Sequence, residues 1–225
     1  MRLSAQTIEI LRNFASINSN IVIDEGKTIR TISEAKNILA KVTVEETFPQ
    51  EFGIYDLSEF LSVLRLVDEP KLTFADKHCV VGDSSGRSNI KYFFSDTEML
   101  TKTTKDVRMP EGNIKLTLDE NTLGNVKAAA SALGHSELVI QDGGDGLAKL
   151  TVTTLENATA NTYSIDIPAT SDIATYKFVY NINNLKILTG TYDVEISSKL
   201  ISKLTNTENG LQYWIALEKT STYGE

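Results

Sequence analysis

Between residues 55 and 67, Leu57, Phe60, Leu61 and Leu64 fall at i, i+3, i+4 and i+7, with Ser58, Ser62 and Arg65 on the opposite side. That spacing predicts one amphipathic helix. Asp56 followed by Glu59 is a capping-box-like start, and Pro70 lies just past the end. A second helix is predicted from Met1 to Ile17. Ser4 can cap it, Ile8, Ile10, Leu11, Phe14 and Ile17 form its apolar stripe, and Arg2, Gln6, Glu9, Arg12 and Ser16 lie opposite. A third follows Asp119 to Leu133 and is closed by Gly134, with Leu123, Val126, Ala130 and Leu133 inward and Gly124, Lys127 and Ser131 outward. A fourth, at most two turns long, is expected at 183–188, where Lys186 is the cation.

Between these helices the pattern shortens to strands. They are expected at 21–23, 28–32, 38–44, 72–74, 78–81, 90–94, 115–118, 138–141, 147–153, 162–167, 177–182, 192–197, 200–204 and 211–217. Glycine-bearing loops join several neighbours, among them 24–27, 82–86 and 143–146. Short hairpin connections favour antiparallel sheets over βαβ units. Residues 95–113 lose periodicity and read as a linker. Helix followed by strands recurs four times, which predicts an α+β chain of two similar domains, 1–110 and 111–225, each with two helices packed on antiparallel sheet.

Composition adds boundaries. With 225 residues, 41% hydrophobic and 23% charged, the chain can bury real cores. Its one cysteine, Cys79, excludes an internal disulfide and a zinc cluster. No run approaches a membrane span, and no signal peptide pattern opens the chain, so it reads as intracellular. The net charge is −8; residues 1–110 hold 14 Lys+Arg against 16 Asp+Glu, and 111–225 hold 8 against 14. Taken alone, that acidity argues against nucleic acid, whose binders carry a basic footprint.

No catalytic constellation emerges. His78 and Cys79 are adjacent on a predicted strand, so they point to opposite faces and cannot act as a pair. His135 sits just past a helix end. The loop Gly82-Asp83-Ser84-Ser85-Gly86-Arg87-Ser88 lacks the Lys-Ser/Thr of a phosphate loop, opens no helix, and has no histidine to activate Ser84 or Ser85. The Gly143–Gly146 turn has one acid, too few for calcium. The pairs Asp24-Glu25, Glu45-Glu46 and Asp68-Glu69 read as solvated edges. Neither an enzyme nor a cofactor or metal is expected. What remains is a set of cations on helix faces: Arg2, Arg12, Arg65, Lys127 and Lys186.

Three tracts together resemble the phage sliding clamps, the DNA-polymerase processivity factors of large tailed phages, which share the proliferating-cell-nuclear-antigen clamp fold. Tyr55 to Val67 is similar to their first domain's second helix. Asn13 to Ser19 is similar to the end of the first helix, and Asn184 to Ile187, Gly190-Thr191-Tyr192 and Tyr213 to Glu218 to the last quarter. The resemblance implies a homotrimeric ring with helices facing enclosed double-stranded DNA and sheets outside. It implies a DNA polymerase and a clamp loader as partners, late transcription through a sigma-like factor, and the cytoplasm of an infected bacterial host. Arg2, Arg12, Arg65, Lys127 and Lys186 are then expected to face DNA, and Trp214, alternating with the inward set Leu211, Tyr213, Ile215 and Leu217, to mark a partner pocket on an outer face. The alternative from the residues alone is a non-enzymatic phage structural or assembly oligomer.

Overall fold

The computed structural model describes residues 1–83, 85–103 and 107–224, so Ser84 of the glycine loop and residues 104–106 of the expected linker lie outside it. The chain divides into two compact units, Met1–Asp106 and Val107–Glu225. Every strand pairing described within them is antiparallel, and the fold is α+β.

The first unit runs α1 (Ala5–Ile17), β1 (Ile21–Ile23), β2 (Gly26–Ile32), β3 (Ile38–Phe48), β4 (Phe52–Ile54), α2 (Leu57–Arg65), β5 (Lys71–Phe74), β6 (His78–Gly82) and β7 (Asn89–Phe93). Strand β1 pairs with β4, β2 with β3, and β5, β6 and β7 form a three-stranded sheet. Helix α1 begins four residues later than the sequence suggests. Met1 is held in an extended pairing, its carbonyl accepting from Leu72 N and its amino group donating to Leu72 O, both at 2.7 Å. Ser4 is the N-cap, accepting from Thr7 N at 3.1 Å.

The first turn of α1 holds no acid of its own. Glu46 reaches in from β3 instead: its carboxylate accepts from Ser4 N and, at 2.6 Å, from the Thr7 hydroxyl. A carboxylate at a helix N-terminus satisfies free N–H groups and complements the dipole. Burial alone would raise the Glu46 carboxyl, but these hydrogen bonds outweigh it and hold the pKa below the usual glutamate value.

Helix α2 starts as its sequence implies, with Asp56 Oδ1 accepting from Glu59 N at 2.9 Å. Leu57, Phe60, Leu61 and Leu64 are buried, as are Ile10, Leu11, Phe14 and Ile17 of α1, whereas Ile8 is half-buried. Leu57 N donates to Ser19 O at 2.8 Å, fastening the start of α2 to the exit of α1. Under the sheet edge Phe52 gathers Phe48, Phe74 and Phe94 at centroid distances of 5.8, 5.2 and 4.9 Å. Its neighbour Gly53 must lack a side chain. A Cβ there would sit 2.7 Å from both Leu100 Cδ1 and the Ser95 carbonyl, part of the segment that crosses β4 before a 3-10 turn at Thr97–Met99.

The second unit runs β8 (Ile114–Leu118), α3 (Glu120–Leu133), β9 (Glu137–Gly144), β10 (Leu147–Thr153), β11 (Tyr163–Ser171), β12 (Thr175–Asn181), β13 (Tyr192–Ser197), β14 (Ile201–Asn206), β15 (Gln212–Ala216) and β16 (Thr222–Gly224). The strand order is β16-β12-β9-β10-β11-β8-β13-β14-β15. Strand β11 is the pivot of this sheet: Tyr163–Pro168 pairs with β10, and Ala169–Ser171 with β8. Asp119 caps α3 by accepting from Thr122 N at 2.7 Å, and Gly134 ends it at φ 67°, a left-handed conformation that glycine adopts without strain.

The helix expected at 183–188 contracts to one 3-10 turn, Ile182–Asn184. Asn181 accepts from Asn183 N at 3.0 Å, the local side-chain bond by which asparagine competes with helix propagation. Two strands escape the sequence pattern, β4 and β16. Both are three residues long and exist because a distant partner, β1 or β12, supplies the other half of the ladder.

Candidate nucleic-acid interface

Helices α1 and α2 pack side by side, and their outward faces meet in a shallow groove. Arg12 and Ala15 line it from α1; Ser58, Leu61, Ser62 and Arg65 line it from α2. Arg12 and Arg65 are both exposed, and neither has an ion-pair partner among the described residues. Ser62 Oγ donates to Ser58 O at 2.8 Å, which leaves the Ser58 hydroxyl as the groove's neutral donor. Helical periodicity places Ser58, Ser62 and Arg65 on one face. That Arg12, which lies far back along the chain on α1, shares their groove depends on helix packing and has no local sequence signal.

The other expected cations differ in setting. Arg2 precedes α1 and is off the helix, because residues 1–3 are drawn toward β5; its guanidinium lies 3.1 Å from the Glu69 carboxylate, both side chains largely exposed. Lys186 is exposed on the irregular segment after the 3-10 turn. Lys127 is half-buried, and its ammonium donates to the Ile187 carbonyl at 3.0 Å. Burial pushes its pKa below the usual lysine value. The exposed positions of α3 are instead Asn121, Gly124, Asn125, Ala128, Ser131 and Ala132, beside Glu120 of the first turn.

Other candidates resolve into structure. Cys79 is buried and His78 half-buried against Phe93, so the two do face opposite sides of β6. Burial pushes the Cys79 thiol up to about 11, far from a reactive thiolate. Trp214 requires a correction: it is 7% exposed and does not stand on an open outer face. Tyr213, Trp214 and Ile215 are buried in succession, so β15 is covered on both sides and strict alternation misreads it. The Trp214 indole Nε1 is buried and has no hydrogen-bond partner among the described residues. No group of three or more metal-ligating side chains is found among the described residues, and none of their helices is long and apolar enough to cross a membrane.

The family model for "DNA polymerase processivity factor" matches residues 4–99, the stretch that contains both groove helices. A sliding clamp of Vibrio phage KVP40 is 32% identical over 222 residues, covering 97% of this chain and 99% of that protein. The chain belongs to the sliding clamp family. The sliding clamp of Escherichia phage RB69 is 26% identical, with 99% of each chain covered. In three dimensions the clamp fold extends further: the crystal structure of PCNA from Thermococcus kodakaraensis matches with a TM-score of 0.71 at 12% identity, covering 95% of this chain and 96% of that one. Membership of the sliding clamps leaves the structural or assembly oligomer without support.

Proposed function

We propose that this sliding clamp encloses duplex DNA as a homotrimeric ring and tethers a replicative DNA polymerase, conferring processivity without catalysis of its own. The observation that carries the proposal is the α1–α2 groove, with two exposed arginines that have no ion-pair partner among the described residues, on a chain whose net charge is −8. So acidic a protein binds bare duplex poorly. A few loose phosphate contacts inside a closed ring, however, suffice to guide sliding. Arg12 and Arg65 face the DNA, with Arg2 and Lys186 as outlying cations.

Ring closure has a physical basis in two incompletely paired strands. Strand β7 is the outer edge of its sheet and presents Lys91 and the 63%-exposed Phe93. On β11 the stretch Tyr163–Ile167 pairs with β10 on one side and, among the described residues, with no strand on the other; it presents Asp166. Antiparallel addition of one protomer's β7 to the next protomer's β11 would satisfy both edges. A clamp loader opens such a ring, and the same mobile clamp serves late transcription through a sigma-like factor in the host bacterial cytoplasm.

The test is topological. Protein loaded on closed circular DNA should survive high salt and be lost after the circle is cut once. Equal retention before and after the cut overturns enclosure.

A further inference from the structure

We propose that the outer edge of β12 is a strand-addition site for an extended segment of a partner protein, and that residues 218–224 occupy it in cis as an exchangeable stand-in. The segment it takes pairs through its backbone and presents an aromatic residue followed by glycine. Neither groove helix takes part, and the proposal does not depend on ring closure.

Along β12, backbone N–H and C=O groups point alternately to the two flanking sides. Those of Val179 point away from β9: its N–H donates to the Ser221 hydroxyl at 2.9 Å, and its carbonyl accepts from Glu218 N at 2.8 Å. The same alternation puts the groups of Thr175 and Lys177 on that edge, opposite Gly224 and Thr222 in antiparallel register. Such an edge is a template for another strand. The chain's own segment shows which kind fits. Tyr223 stacks on Phe178 at 6.2 Å, continuing the stack that Phe178 makes with Tyr176 at 6.0 Å. Gly224 lets the backbones close, since a Cβ there would stand 2.9 Å from Thr175 Oγ1.

The occupancy is loose. Strand β16 is three residues long. A turn precedes it, closed by Ser221 N donating to Glu218 O at 3.0 Å, so at Val179 a side-chain hydroxyl replaces a ladder partner. Tyr223 stays 50% exposed, whereas Tyr176 and Phe178 are buried. An open cavity of about 310 Å³ lies along the paired strands, lined by Thr175, Tyr176, Lys177, Thr222, Tyr223 and Gly224. Few buried contacts make local opening cheap. A strand running straight past Val179 gains the pairing that the turn denies. What shields the edge is tethering, which holds the cis segment at an effective concentration of about millimolar.

Amide hydrogen exchange of the whole protein reads the opening. The Lys177 and Val179 amides should exchange faster than those of Phe178 and Tyr180, which face β9 from the same strand. Exchange at Lys177 and Val179 only through global unfolding overturns the proposal. Occupancy in trans is read by fluorescence anisotropy of a labelled peptide with the sequence of residues 218–224. The full chain carrying Tyr223→Ser and Gly224→Val loses the stacking ring and gains a clash, which frees the edge. It should bind the peptide at least about tenfold more tightly than wild type does, because the cis competitor is gone. Bound peptide should slow its Lys177 and Val179 exchange, and a peptide with the same two substitutions should bind neither protein. Equal affinity for variant and wild type, or slowed exchange only outside β12, overturns the proposal. So does self-association of the variant beyond the wild-type mass in sedimentation velocity, which would assign the edge to a second copy. If the double variant does not fold, Ser221→Ala serves instead: Val179 exchange should speed up with the melting temperature unchanged, and unaltered exchange there counts equally against the proposal.

Discussion

The Thr7 hydroxyl donates a 2.6 Å hydrogen bond to Glu46 Oε2, so a carboxylate from β3 completes the N-terminus of α1. A bond from a neutral hydroxyl to a charged acceptor stabilises by about 1–2 kcal/mol. Thr7→Val should therefore lower the unfolding free energy by about that amount at neutral pH. The sign with pH follows from the depressed Glu46 pKa. Its contribution is fully present above the unfolded-state value and is lost as pH falls through the lower folded-state value. The stability gap between wild type and Thr7→Val should therefore be constant near neutrality and close in acid, measured by urea denaturation across pH. A gap that widens in acid would rule out an ionised Glu46 as the acceptor.

The place of Trp214 in the core has a direct energetic consequence. Truncating a buried aromatic removes its transfer energy and leaves a cavity, and Trp214→Ala should cost about 3–5 kcal/mol. Trp214→Phe should cost less, since it keeps a ring and removes a buried indole N–H that has no partner among the described residues. Denaturant midpoints decide the matter. A Trp214→Ala protein as stable as wild type would return this residue to an exposed docking surface.

Gly53 makes a separate claim on stability. Its missing Cβ leaves room for a backbone carbonyl, that of Ser95, and not merely for the end of a flexible side chain. Relief therefore requires the chain itself to move, and Gly53→Ala should destabilise by about 1–3 kcal/mol. The α1–α2 groove should be unaffected, because the clash lies at β4 and not among the groove's lining residues. An unaltered midpoint would mean that the crossing segment yields freely.

These residues show where sequence is informative and where it stops. Ser4, Asp56 and Asp119 are legible as helix starts, and Gly134 as a stop, because capping is settled within a few residues. The cationic faces of α1 and α2 are legible for the same reason. Strand β4 is not: three residues around a glycine carry no period, and only β1 makes them a strand. Lys127 occupies an outward helical position in the pattern, yet the Ile187 carbonyl, sixty residues on, draws its ammonium inward. Arg2 is taken off its helix by Leu72, and Trp214 is buried because β15 is covered on both faces. Each departure comes from a contact made far along the chain, which no window of neighbouring residues contains.

The exposed edge of β7 yields a prediction about assembly. Phe93 is 63% exposed, with Lys91 Nζ 4.9 Å from its ring centroid and the His78 ring tilted against it at 5.6 Å, so a large aromatic is held in place at a strand edge. Left uncovered, such an edge invites pairing with another chain. If it meets β11 of a second protomer, Phe93→Glu sets a carboxylate into an apolar contact, near an edge that already carries Asp166. Like charges across such a contact are strongly disfavoured. Phe93→Glu should thus reduce the solution mass from about three times 24.8 kDa toward a single chain. The melting temperature of the dissociated chain at low protein concentration should match that of wild type at the same dilution, because a surface substitution away from the core alters folding by only about 0.5 kcal/mol. Sedimentation velocity across a concentration series measures both association and its loss. A Phe93→Glu protein that retains the wild-type mass at every concentration would remove β7 from the ring contact.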